Sequence, residues 1–153
     1  MTNLLDVFGT DLTLEKEGVW VEFAEGIKFK IRPMRNKKFI ALLQKLQRPY
    51  KSAIRNGSIK EDLHQGLITK ALAKEVVVDW LGVNDLESGE PLDYSWTNAT
   101  RLLSDARMER LLLMVVEVAG EQETFKNIEE EETEKNSEKS SSGNSNGKKS
   151  AKS

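Results

Sequence analysis

All ten aromatic residues of this 153-residue chain lie before residue 126. From Lys126 to Ser153 there are seven Ser, six Lys, six Glu, four Asn, two Gly and one Thr, with only Ile128 and Ala151 apolar. Such a segment has no apolar surface with which to offset the entropy of ordering, so residues 126–153 are predicted to be a disordered polar tail. Any core must come from residues 1–125, a length that buries roughly two thirds of its unfolded surface. One hairpin-plus-helices domain over 1–125 is the expected organisation.

Within that domain the hydrophobic periodicity changes along the chain. Val19, Val21 and Phe23 alternate with Trp20 and Glu22, Ala24-Glu25-Gly26 supplies turn chemistry, and Ile27, Phe29 and Ile31 alternate with Lys28 and Lys30. This predicts a β-hairpin with one apolar face that must pack on helices, ended by Pro33. Asn36 is placed to cap a helix carrying Phe39, Leu42, Leu43 and Leu46, which Pro49 ends or kinks. After the Asn56-Gly57 turn, Ser58-Ile59-Lys60-Glu61 fits a capping box. The apolar positions from Leu63 to Leu81 then predict one long central helix stopped by Gly82, with Trp80 in the core. Residues 83–93 read as a loop. Ser95 caps a helix using Ala99, Leu102 and Leu103, and Asp105 a last one using Met108, Leu111, Leu112, Val115, Val116 and Ala119, closed by Phe125. The class expected is α+β and α-dominated: an N-terminal β-hairpin packed on a bundle of three to four helices.

The net charge of −2 conceals blocks. Residues 1–27 hold six acids and one base, residues 28–60 eleven bases and no acid, and residues 61–125 thirteen acids and five bases. A stretch of +11 suits an anion-binding face, and it suits equally well the acidic flanks of its own fold or of an identical neighbour. The first of these leaves a small nucleic-acid-associated protein using the 28–60 segment as the alternative function. Against it, Phe29 shares a strand face with Ile27 and Ile31, which favours core packing over base stacking.

The inventory also bears on chemistry. With no cysteine there are no disulfides, no thiolate chemistry and no cysteine-held zinc, and no apolar run approaches the ~20 residues of a membrane span. Met1 to Asp6 lack the basic start and apolar stretch of a secretory signal, so an untargeted soluble chain is expected. His64, the sole histidine, lies beside Glu61 and Asp62 with no glycine-flanked serine elbow to serve. Acids at 85, 87, 90 and 93 miss calcium-loop spacing, since aligning Gly89 puts Leu86 and Ser95 at ligand positions. Gly143 to Ser150 lacks the spacing and flanking elements of a phosphate loop. Neither catalysis nor a cofactor or metal is expected.

Taken in order, the motifs resemble a known family. Phe8-Gly9-Thr10-Asp11 precedes Glu15-Lys16-Glu17-Gly18-Val19-Trp20-Val21, a second strand ends Ile31-Arg32-Pro33, and a helix opens Asn36-Lys37-Lys38-Phe39. Then follow Val76 to Trp80, Gly89-Glu90-Pro91-Leu92-Asp93-Tyr94-Ser95, Leu102-Leu103 before Asp105, and a final helix. This resembles the tail assembly chaperones of long-tailed bacteriophages of the siphophage type, over nearly all of residues 6–125. The resemblance implies a non-enzymatic protein of the host bacterial cytoplasm that keeps the long, apolar tape-measure protein soluble until tail-tube subunits assemble around it. It implies absence from the finished virion, with the tail-tube protein and further copies of the chain as secondary partners and no membrane. Some relatives have a longer frameshifted product, of which this chain would be the short counterpart or a relative without one. The expected partner-binding residues are Trp20, Lys28, Lys30 and Arg32 on the outer face of the hairpin, with Tyr94 and Trp96 at a loop-to-helix junction.

Overall fold

A computed structural model describes residues 3–9 and 12–121. The expected tail and Phe125 lie outside these residues. Two short helices come first, α1 (Leu4–Phe8), capped by the Asn3 side chain accepting from the Leu5 amide, and α2 (Leu12–Glu17). The predicted hairpin follows as β1 (Val19–Ala24) and β2 (Ile27–Ile31), with Gly26 turning the chain at φ 80°. The sheet has a third strand the periodicity did not announce. The predicted long helix stops as α5 (Glu61–Glu75), and Val77–Leu81 forms β3, antiparallel to β2.

The physical reason lies in Val76-Val77-Val78. Three β-branched residues in succession crowd a helix and fit a pleated surface, and an open β2 edge was available to take them. Two inward rows result, Val19–Ile31–Val77 and Val21–Phe29–Trp80, while Val78 is the extra residue at a register shift opposite Lys30 and Ile31. Gly82, at φ 77°, ends a strand rather than a helix, and a side chain there would collide with the Gly26 carbonyl.

Helix α3 (Lys37–Gln47) begins as expected, the Asn36 carboxamide oxygen accepting from the Phe39 amide at 2.8 Å. Through a 3-10 turn at Arg48–Tyr50 it passes into α4 (Lys51–Arg55). The capping box does not form. Helix α5 starts at Glu61 without a side-chain cap, because the amides of Ser58 and Ile59 are both tied back to the Ala53 carbonyl. Ser95 caps α6 (Trp96–Ser104) at 3.0 Å, and Asp105 caps a 3-10 turn that leads into α7 (Glu109–Gly120).

Helix α5 packs between α3 and α6 and reaches the sheet at β3, while α7 touches β2 and α6. Phe29, Ile31, Leu72, Val77, Leu103 and Val115 are fully buried where these layers meet. Buried polar groups at this junction are paired. Arg32 bonds Glu75 at 2.9 Å, and the Asn36 amide nitrogen donates to the Pro33 and Glu75 carbonyls. Among the described residues no helix is long and apolar enough to cross a membrane.

Candidate partner-binding surface

The six residues expected to meet a partner separate into two groups. On the outer face of the sheet the cross-strand rows are Trp20–Lys30–Asp79 and Glu22–Lys28–Leu81. Trp20 is 39% exposed and Leu81 55%, and the Lys30 ammonium lies 6.0 Å from the Trp20 ring. This face offers two apolar side chains among alternating charges, which suits a partner that is apolar with charged margins. Trp20, Lys28 and Lys30 stand where the alternation placed them.

The other three are engaged within the fold. Arg32 is buried, not on the outer face, because the chain leaves the strand at Ile31 and Arg32 turns in to meet Glu75. Tyr94 is half-buried with its hydroxyl 2.7 Å from the Ala73 carbonyl and 2.8 Å from that of Val77, so its one proton serves the end of α5 or the start of β3. Burial, reinforced by Glu75 and Asp79, pushes that hydroxyl's pKa up to about 12. Trp96 donates its indole N–H to the Lys70 carbonyl, and the ammonium groups of Lys70 and Lys74 lie 5.6 and 4.4 Å from its ring. Trp80 is in the core, in edge contact with Phe29 and Tyr94, its indole bonded to the Leu92 carbonyl at 2.7 Å. Phe29, also buried, has no face free for a base.

A second surface escaped the sequence pattern. On α7, Leu113 is 58% exposed, with Met114 and Val116 also exposed, although Val116 was expected inside. The signal was present: residues 111–116 are six consecutive apolar positions. A helix packed along one side cannot bury them all, since they cover its whole circumference. Helix α1 adds Leu4, Leu5 and Phe8, each about three quarters exposed. Fully covering one such side chain is worth roughly 1.5–3 kcal/mol to whatever covers it.

Two charged surfaces complete the exterior. Lys37, Lys38, Lys45, Arg48, Lys51 and Arg55 are all exposed along α3 and α4. At the other flank the 82–93 loop folds on itself through an Asn84–Pro91 bridge, and its amides of Glu87 and Ser88 donate to the Asp85 carboxylate. Those amides, that of Ser88 most of all, hold the Asp85 pKa below its usual value. Between this loop and α6 lies a shallow cleft of about 180 Å³. At its edge Arg107 joins Asp105 at 2.8 Å and Glu87 at 2.9 Å, and the Arg107 hydrogen bond lowers the Asp105 pKa to about 2.

The family model described as YdaY prophage protein matches residues 34–136, about two thirds of the chain, from just after the hairpin through α7 and beyond. No curated protein and no solved structure matches.

Proposed function

The chain belongs to the YdaY prophage protein family, which makes it a phage-related protein, and from that premise we propose that it is a tail assembly chaperone. In this reading it works without catalysis in the host bacterial cytoplasm. It binds the tape-measure protein, keeps that long helical partner soluble, helps recruit tail-tube subunits, and is absent from the finished virion. The observation that carries the reading is the uncovered apolar surface of α7, Leu113, Met114 and Val116, beside a buried core of which Val115 on the same helix is part. A holder of apolar helices needs such a surface. Covering a partner's apolar stripe takes an apolar face of its own, and release takes a shallow one with a modest affinity per copy. The rows around Trp20 and Leu81 on the sheet supply a second contact of the same character. Many copies along one long partner would then add their affinities by avidity. The prophage membership and the order of motifs support the same reading from the sequence side.

Coexpression of residues 1–153 with the product of the longest neighbouring reading frame tests it. The large protein should move into the soluble fraction and copurify with many copies of this chain. Its precipitation, with this chain eluting alone, would overturn the proposal.

A further inference from the structure

We infer that the exposed face of α7 takes an amphipathic helix of a partner protein whose apolar stripe is edged by Lys and Arg. The inference deepens the chaperone reading and rests on its choice of α7 as the partner surface. It adds which helical segments of a partner that surface accepts.

At 3.6 residues per turn, Leu113, Val116 and Gly120 fall at i, i+3 and i+7 and so share one stripe of α7. All three are exposed. A Cβ added at Gly120 would meet nothing within 4 Å, so the stripe is open and low at its C-terminal end, where a second helix can come in close. Val115 and Ala119, on the other side of the helix, are buried and hold α7 to the body. A stripe held in place this way loses little conformational entropy on docking.

The charges beside the stripe select the occupant. Glu109 stands one turn before Leu113 and Glu117 one turn after it, both exposed, and neither is in an ion pair among the described residues. Helix α7 cannot supply a partner for either, since the positions three and four residues away from each hold no base. Arg110, the one base of α7, is four residues from Met114 and stands to that side of the stripe. Arg35, next to the Met34 whose amide donates to the Ala119 carbonyl, adds a base only near the last turn.

An exposed leucine with an acid one turn to either side is complementary to an apolar residue bracketed by cations on a facing helix. The same two acids repel a polyanion or an anionic membrane, and helices that lie on lipid carry Lys and Arg around their apolar face instead. They also disfavour a partner helix with acidic margins, which would set like charges together. The occupant that fits is a protein helix with basic margins.

Fluorescence anisotropy of the full chain with two synthetic helical peptides of equal length provides the test. Both peptides carry Leu at i, i+3 and i+7, one with Lys and the other with Glu beside the stripe. At about 0.05 M salt the Lys-edged peptide should bind about tenfold more tightly, and the preference should shrink at about 0.5 M. Glu109→Lys with Glu117→Lys should reverse the preference, with circular dichroism reporting that the fold is kept, and Glu109→Gln with Glu117→Gln should level it if the reversal unsettles α7. Leu113→Ser with Val116→Ser should weaken both peptides about tenfold or more. Equal binding of the two peptides, a preference unchanged in both charge variants, or undiminished binding after the serine substitutions would overturn the inference. A tape-measure protein kept soluble in coexpression while the peptides bind alike would overturn it and leave the chaperone reading standing. A clear preference for Lys margins with the large protein still precipitating would do the reverse.

Discussion

Two runs of consecutive apolar residues, Val76–Val78 and Leu111–Val116, meet opposite fates. The first leaves the helix that precedes it and becomes the start of β3, with Val76 and Val77 fully buried and the adjoining carbonyls of Ala73 and Val77 within reach of the Tyr94 hydroxyl. The second stays helical, burying Val115 while Leu113, Met114 and Val116 face outward. Side-chain shape separates them. Three β-branched residues beside an open strand edge gain by pairing, whereas Leu111 to Met114 are unbranched at Cβ and lose little rotamer freedom in a helix. The first run is consumed by the fold and the second is left over. On this contrast, stability should be concentrated at the β2–α5–β3 junction and partner binding on α7.

Substitutions can break or sharpen that contrast. Phe29→Ala, in the row shared with Trp80, should cost about 3–5 kcal/mol in denaturant unfolding, the range for emptying a core aromatic site. Arg32→Ala should cost about 3 kcal/mol by the same measurement, since it leaves the Glu75 carboxylate partly buried without its partner. Tyr94→Phe should cost about 1 kcal/mol at neutral pH by removing the donor between two carbonyls.

The pH dependence of that last effect has a definite sign. Burial raises the Tyr94 pKa from its ordinary 10.0 to about 12, so the contribution is complete below pH 10 and is lost as the pH climbs towards 12. The stability gap between wild type and Tyr94→Phe should therefore be flat at neutral pH and close across that alkaline window. Leu113→Ser with Val116→Ser should have the smallest effect on stability, within about 0.5 kcal/mol per site. The same pair should nevertheless abolish most retention of the tape-measure protein in the copurification assay. If it instead unfolds the chain as Phe29→Ala does, the α7 run belongs to the core and the contrast fails.

Much of this was legible from local chemistry. The hairpin follows from strict alternation between Val19 and Ile31, because a strand with one wet face must alternate. Asn36 and Ser95 were readable as caps because a short polar side chain before an apolar run can take an orphan helix amide. The outward positions of Trp20, Lys28 and Lys30 came with the alternation. Arg32 did not, since one residue beyond the strand the alternation no longer applies and a partly buried Glu75, 43 positions later, decides where its guanidinium goes. Ser58 also misled. The motif for a capping box was complete, but the turn at Asn56-Gly57 had already claimed the amides around it.

The sequence by itself determined the hairpin, the helical stripes, the division into charge blocks and the aromatic-free end of the chain, all of which depend on neighbours within a few residues. Only the tertiary structure decided that Val77–Leu81 would be a strand, that Tyr94 and Arg32 would serve the interior, and that half of the Leu111–Val116 run would remain outside. Each of these depends on which distant surface was free to receive it, an open β2 edge, a partly buried carboxylate or a core already full. Such vacancies arise only when the elements pack.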